Sequence, residues 1–453
     1  MMGGAAVAGG EDQATAFINP AGITRIPGQS FSFSTVAVEM KNRTVKSALD
    51  PSAGLQLKDA DSSQLQVKIL PNTFCLFLDG PPQSTLSRKS RHKYALCAAG
   101  TEREEFDFTQ NDTAGSSSDI QTTGAAHDTS MKFVRSTLAL SWGLQLNRDT
   151  SIGVTTRVDN ARFQDRSSAS AFISDGNTGV MQAVQLSRNA WSWDTSLVVG
   201  LTSHINRVLT LGVSLTTPSQ HLFGSYEGHS SVARTWDDRQ SLVQDSGDFR
   251  YNHPGSIRMG LAFNWPRLTL EVNGSFYGPQ KQLARATYDR TASLVTQDDT
   301  LVTTTERTTI AERGRAVTNL ALGAEFFLQR DFSIVAGLHS DFSGLQKRQD
   351  AAPTNVLFRQ EKDMYYASVG VSTYRKSGRL LLGLRGHYGA GTILIADAAA
   401  ATPKMVSLGQ SQWGLSLVVS GEISFRSVRD TAVRAATPLA NISSSDDEKE
   451  GQK

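Results

Sequence analysis

Apolar and polar residues alternate with period two in several segments of this 453-residue chain. That is the pattern of a strand with one face in an apolar medium and the other in water. From Val134 onward, Leu138, Leu140, Trp142, Leu144 and Leu146 share one face, while Arg135, Thr137, Ser141, Gly143 and Gln145 share the other. Near the C-terminus, Trp413, Leu415, Leu417, Val419, Ile423 and Phe425 oppose Gly414, Ser416, Ser420, Glu422 and Ser424. The same rhythm runs through Ile257-Met259-Leu261-Phe263, Leu268-Leu270-Val272, Leu320-Leu322-Phe326 and Leu380-Leu382-Leu384.

The breaks in the pattern fall into two kinds. Tight turns are predicted at Asn147-Arg148-Asp149, Asn206-Arg207, Trp265-Pro266-Arg267, Gln329-Arg330-Asp331 and Lys376-Ser377-Gly378-Arg379. Between them lie long polar stretches, near 166–190, 219–255, 278–317, 344–363 and 391–411, which read as loops. Short turns on one side and long loops on the other mark an outer-membrane barrel, with turns in the periplasm and loops outside. The turns imply ten strands between 131 and 391, and a further hairpin joins 65–78 to 93–108 across Pro81-Pro82. A first strand at 29–46 and a last at 411–425 bring the expected total to about fourteen, an even number that leaves both termini periplasmic. The expected fold is thus all-β, a transmembrane antiparallel β-barrel over 29–425. The remainder, 426–453, is polar and reads as a disordered tail. A pair of soluble β-sandwiches shares the local alternation but does not require the asymmetry of its connections.

Composition narrows the choice. No apolar run of about 18 residues exists, which excludes a transmembrane helix, whereas a barrel shows lipid only every second residue. A net charge of +2 gives no reason to expect a nucleic-acid partner. The two cysteines, Cys75 and Cys97, exclude a multi-disulfide scaffold and a cysteine-rich zinc site. They flank the turn of the second hairpin near-symmetrically and are expected to be cross-strand neighbours with free thiols, a disulfide in an oxidising periplasm being the alternative. Trp142, Trp193, Trp265, Trp413, Tyr277, Tyr388 and Phe425 fall near strand ends, where an aromatic girdle at headgroup level is expected.

Ahead of the first strand, Ala14-Thr15-Ala16-Phe17-Ile18-Asn19-Pro20-Ala21-Gly22-Ile23-Thr24-Arg25-Ile26-Pro27-Gly28 follows a run of small residues from Gly3 to Asp12. By itself Asn-Pro-Ala-Gly is a bent segment: Pro20 fixes its own φ and keeps Asn19 extended, and Gly22 permits a sharp turn. The segment resembles the N-terminal hatch of the FadL-like outer-membrane transporters of long-chain fatty acids and aromatic hydrocarbons. The resemblance implies that residues 1–28 form a hatch inside the lumen of a fourteen-stranded barrel, with Asn19, Pro20, Ala21, Gly22 and Arg25 its key residues. Arg25 is expected to pair with Glu271, Glu325 or Glu422. Members of that family open sideways near a kinked early strand, and Gly100 is the nearest candidate for the kink. Met1 to Ala6 lacks the charged and apolar regions of a signal peptide, so a start further upstream is expected.

Charged groups on the polar faces are Arg135, Arg157, Asp194, Arg258, Glu271, Glu325, His339, Arg385, His387 and Glu422. In lipid they are costly, so they are expected to face the lumen. There they either hold the barrel's shape through salt bridges or, in the case of some arginines, bind a substrate carboxylate. No metalloprotease, phosphate-loop or hydrolase motif occurs, and Gly389-Ala390-Gly391 lacks the third glycine of a dinucleotide loop. No enzymatic activity, cofactor or metal is expected. The expected function is an outer-membrane channel for small hydrophobic molecules, long-chain fatty acids foremost, working as a monomer inserted into outer-membrane lipid by the barrel-assembly machinery. The alternative is a non-transporting structural or assembly-associated barrel.

Overall fold

In the computed structural model of the chain, the residues described are 5–10, 12–45, 60–67, 72–81, 91–112, 121–174, 179–235, 240–295, 300–346, 356–358, 360–375, 378–397 and 404–425. They form one closed antiparallel barrel of fourteen strands. β1 is Ser30–Val45, and β2 is Ala60–Val67 continued by Thr73–Asp79. β3 to β6 are His92–Asp112, Gln121–Gln145, Thr150–Ser174 and Gly179–His204. The next four strands are each interrupted once: β7 (Leu209–Thr216, Gln220–Arg234), β8 (Gln240–Tyr251, Ser256–Asn264), β9 (Leu268–Tyr277, Gln280–Val295) and β10 (Leu301–Gly314, Val317–Gln329). β11 to β14 are Phe332–Asp341, Gln360–Arg375, Gly378–Asp397 and Lys404–Ser424. Pairing of β1 with β14, from Ser30↔Ser424 to Val45↔Gln410, closes the barrel.

Two of the lower turns are tight because asparagine organises them. Asn147 Oδ1 accepts from the N–H groups of Asp149 (2.9 Å) and Thr150 (2.7 Å), and Asn206 Oδ1 accepts from Val208 and Leu209, both at 2.8 Å. An asparagine side chain bonding the backbone two residues on is a ready-made turn. Of the fifth predicted turn, Lys376 and Ser377 lie outside the described residues, as does the 426–453 tail.

The two faces separate as period two requires. Leu138 and Leu140 are exposed on the outer wall, whereas Arg135, Thr137, Ala139 and Ser141 are buried inside it. Outward tyrosines and tryptophans, with Phe425, stand in two rows: Tyr94, Trp265 and Phe425 near the lower turns, and Trp191, Tyr365, Tyr388 and Trp413 higher up. About ten residues at about 3.3 Å each, tilted by about 45°, separate the rows by roughly 23 Å, the height of a barrel's apolar band.

Three expectations are corrected. The polar stretches 166–190, 219–255 and 278–317 are largely strand, since β5 and β6 run to Ser174 and from Gly179, and β7 to β10 continue above the apolar band. Above that band the outer face is polar, so the apolar half of the alternation vanishes while the hydrogen-bonded ladder goes on. Cys75 and Cys97 are opposite each other, as expected, but form a disulfide rather than two free thiols. Both are buried against Ala16, Ile23 and Ile26, which keeps the bond away from reductants. Tyr277 does not join a girdle: it lines the interior, under the guanidinium of Arg258.

Candidate functional site

Read upward along β4, the inner face has three levels. Gly143, Ser141 and Ala139 meet the N-terminal segment. Thr137 and Arg135 form a charged level, and Phe133 and Met131 begin an apolar one. On β5, Gly153 and Thr155, then Arg157 and Asp159, then Ala161 and Phe163 repeat the series.

The lowest level is a seat for the N-terminal segment. A short helix, Thr15–Ile18, leads to Asn19, whose extended backbone (φ −145°, ψ 97°) is the conformation a following proline imposes. Pro20 then opens the 3₁₀ turn Pro20–Arg25, where its missing N–H costs nothing. Both ends of the Asn19 amide are used: Nδ2 donates to Val7 O (2.6 Å) and Leu201 O (3.1 Å), while Oδ1 accepts from Ala21 N (3.3 Å). Ala21 is fully buried, and a side chain on Gly22 would press on Thr15 and Gly10.

The wall answers with glycine. Gly143, Gly153, Gly200, Gly212 and Gly260 lie on β4 to β8, and a Cβ added at any of them falls within 3 Å of the N-terminal segment. Gly143 stands opposite Gly153, Gly153 opposite Gly200, and Gly212 opposite Gly260, so they form a groove crossing five strands. Only without side chains can two backbones approach this closely. Polar groups complete the seat. Glu271 accepts from Ala8 N (2.8 Å) and Gly9 N (3.1 Å), Arg25 donates to Ala8 O (2.6 Å), and Lys93 donates to Ile26 O (2.6 Å) and to Gly28 O. It is thus backbone N–H groups that occupy the Glu271 carboxylate.

Above the segment is a cavity of about 750 Å³. Phe17 and Ile18 form part of its floor. Its upper wall carries Met131, Phe133, Tyr251 and Phe358, continuous with a buried apolar layer that includes Phe163, Tyr226 and Tyr288. Phe358 comes from the chain between β11 and β12 and packs edge-on against Phe133 and Phe163 at 5.6 and 5.3 Å. The interruptions of β8 to β10 fall at cavity height, so Pro254, Gly278 and Gly314 also border it.

Its charged level is dominated by cations. Asp159 serves two of them, with Arg135 Nε at 3.4 Å and Arg157 at 3.5 Å. Arg157 Nε is buried with no hydrogen-bond partner among the described residues. Among the described residues Arg258 reaches only neutral groups, Thr216 Oγ1 at 3.2 Å and the Tyr277 hydroxyl at 3.4 Å. On the opposite wall, Arg385 lies over the Tyr366 ring, which stacks on His339 at 4.3 Å. Beside them Lys362 donates to Glu104 (2.5 Å) and Gln412 (3.0 Å), and Arg43 grips the same Gln412 oxygen at 2.7 Å.

Of the residues singled out from sequence, Arg135, Arg157, Arg258, His339, His387 and Arg385 come together on this cavity. Asn19, Pro20, Ala21, Gly22, Arg25 and Glu271 belong to the seat below it. Asp194 bonds Ser192 (2.7 Å) and His221 (3.3 Å). Glu325 bonds Ser333 (2.6 Å) and Arg379 (3.4 Å), and Glu422 lies opposite Ser32 near the lower rim; none of these three borders the cavity. Sequence reasoning missed Arg43, Glu104, Lys362, Gln412 and Phe358. Lys362 and Phe358 sit in a stretch read as loop, and the Lys362–Glu104 pair joins strands far apart in the barrel, which no spacing rule reveals.

The wall itself is incomplete on one side. β2 and β3 pair from Asp79↔Lys93 up to Thr73↔Ala99, where Gly100 N donates to Asn72 O (2.7 Å). Above that point Ala60–Val67 of β2 stays with β1, β3 stays with β4, and among the described residues no ladder joins them. The register slips at this height on both flanks, between Val36 and Val38 and between Gly100 and Glu102. Val36, Asn72 and Gly100 all border the cavity.

No family model matches the sequence, and no curated protein matches it. Solved structures do. A FadL homologue from Pseudomonas aeruginosa is 13% identical, with 93% of this chain and 97% of that one covered and a TM-score of 0.56. The Pseudomonas putida toluene transporter TodX is 12% identical over 94% and 98% of the two chains, TM-score 0.58. The Ralstonia pickettii toluene transporter TbuX is 11% identical over 92% and 97%, TM-score 0.50. At such identities the likeness concerns architecture, and on that ground the chain has the fold of the FadL-like transporters.

Proposed function

We propose that this chain is an outer-membrane channel for small hydrophobic molecules, with long-chain fatty acids its leading substrates. The observation that carries the reading is the cavity, apolar above and cationic at its waist, closed below by the N-terminal segment. Its volume lies within the roughly 300–1,000 Å³ range of small-molecule sites. An acyl chain fits the layer of Phe133, Met131 and Phe358, and its carboxylate fits Arg157 and Arg258, whose guanidinium donors are incompletely used. Charge-assisted bonds to arginine favour such an acid over a neutral hydrocarbon. Residues 1–28 act as a hatch that keeps ions from passing, and the substrate leaves sideways beside Gly100, where the wall is unzipped. No step makes or breaks a covalent bond. The aromatic rows and the oxidised cysteine pair support an exported, membrane-inserted protein.

Uptake of labelled oleate into liposomes containing the purified protein tests the reading. Saturable uptake competed by unlabelled oleate is expected. Uptake no faster than in empty liposomes leaves the barrel a structural one.

A further inference from the structure

The opening between β2 and β3 has a sharply placed lower end. Their ladder is only seven residue pairs long, whereas the ladder of β5 with β6 runs unbroken from Thr150↔Ser203 to Ser174↔Gly179. A short ladder beside an unpaired edge frays from its open end, because its last pairs are held by little beyond their own hydrogen bonds. Cys75↔Cys97 is the third pair down, below Thr73↔Ala99 and Phe74↔Ala98. Both sulfurs face inward, fully buried, against Ala16, Ile23 and Ile26 of the N-terminal segment, with Phe17 packed alongside. Four pairs lower, Lys93 holds the base through Asp79 (2.9 Å) and the carbonyl of Ile26.

We infer that the Cys75–Cys97 disulfide is a stop for the opening in the wall. It lets the two pairs above it separate and keeps every pair below it closed. Because Phe17 floors the cavity and packs on the same cluster, the stop also holds the hatch and the lower edge of the opening at a common height. A covalent bond suits this place because the strand pair bears the edge of an opening, above which no ladder joins β2 to β3 among the described residues. The inference rests on the sideways exit proposed above.

The test compares the wild type with the Cys75→Ala/Cys97→Ala double variant in liposomes, each first checked as a folded barrel by its heat-modifiable gel mobility. Backbone hydrogen exchange is followed over residues 72–79 and 92–100 and over the β5–β6 hairpin as an internal reference. Exchange at least tenfold faster in the first two segments, with β5 and β6 unchanged, is the expected result. It should be accompanied by leakage of entrapped carboxyfluorescein. A third protein adds Thr73→Cys and Ala99→Cys to the double variant, placing the crosslink one inward-facing pair higher, where the pairing geometry repeats. It should restore slow exchange and slow oleate uptake below the wild-type rate by narrowing the opening. Unchanged exchange in the double variant, or exchange accelerated equally throughout the barrel, overturns the inference. The exchange readout needs no transport, so a wild type that fails to move oleate refutes the proposed function without deciding this point.

Discussion

The backbone N–H of Ala8 lies 2.8 Å from Oε1 of Glu271, a residue on β9, 263 positions further along the chain. Gly9 N–H meets the other oxygen at 3.1 Å, so one buried carboxylate satisfies two successive amides. Removing it strands both donors, at a cost of about 1–3 kcal/mol for each buried unsatisfied group. Glu271→Ala is therefore expected to release the N-terminal segment and raise ion conductance across a planar bilayer at least tenfold. Glu271→Gln keeps one acceptor and should leak less. Equal, wild-type conductance in both variants would show that the carboxylate does not hold the seat.

The glycine groove makes a separate, steric prediction. Gly153→Val and Gly200→Val place side chains where the backbone of Pro20 and the amide of Asn19 now lie. Both proteins should fold as barrels yet expose residues 5–28 to protease at least tenfold faster than the wild type. Gly100→Ala is the control, since its new methyl would find only Asn72 O, at 3.8 Å. It should behave as wild type in the same digestion.

The cationic waist decides between acids and neutral hydrocarbons. Arg157→Ala and Arg258→Ala each remove a charge-assisted donor, an effect of about 1.5–3 kcal/mol on a bound carboxylate. Oleate binding should weaken by roughly 10- to 100-fold in each, while binding of methyl oleate stays within about twofold. A parallel loss for acid and ester would remove the carboxylate from the argument.

Leu138 is 51% exposed on the outer wall, between the two aromatic rows. Leu138→Arg should destabilise the barrel by about 2–4 kcal/mol when folding into bilayers is followed against urea, as a charge facing lipid requires. Ser141→Ala, three positions away but inward, should shift the same curve by under about 1 kcal/mol.

What the chain discloses before folding follows from where its two faces differ. Between Val134 and Leu146 one face is apolar and points outward while the other is polar and lines the lumen, so the alternation is plain and the register readable. Above the apolar band that contrast is gone: Leu301–Gly314 carries Thr303, Thr304, Thr305, Thr308 and Thr309 with both faces largely exposed, and a strand there resembles a loop. Asn19-Pro20-Ala21-Gly22 was legible as a bent segment because proline and glycine act locally. Its seat was not, since Gly143, Gly153, Gly200, Gly212 and Gly260 stand apart in the chain and only strand register brings them into line. The cysteine pairing followed from symmetry about a turn, but whether the sulfurs bond depends on the burial that the N-terminal segment provides.

The bond between Ala8 and Glu271 also sets an order in time. Its donor lies in the N-terminal segment and its acceptor near the middle of the chain, on a strand 263 residues further along. Until β9 is in place, the groove of glycines on β4 to β8 lacks the carboxylate that anchors Ala8 and Gly9, and residues 5–28 have no complete surface to settle on. The N-terminal segment is thus among the last to find its place, and the lumen is closed below only once its far wall has been laid down.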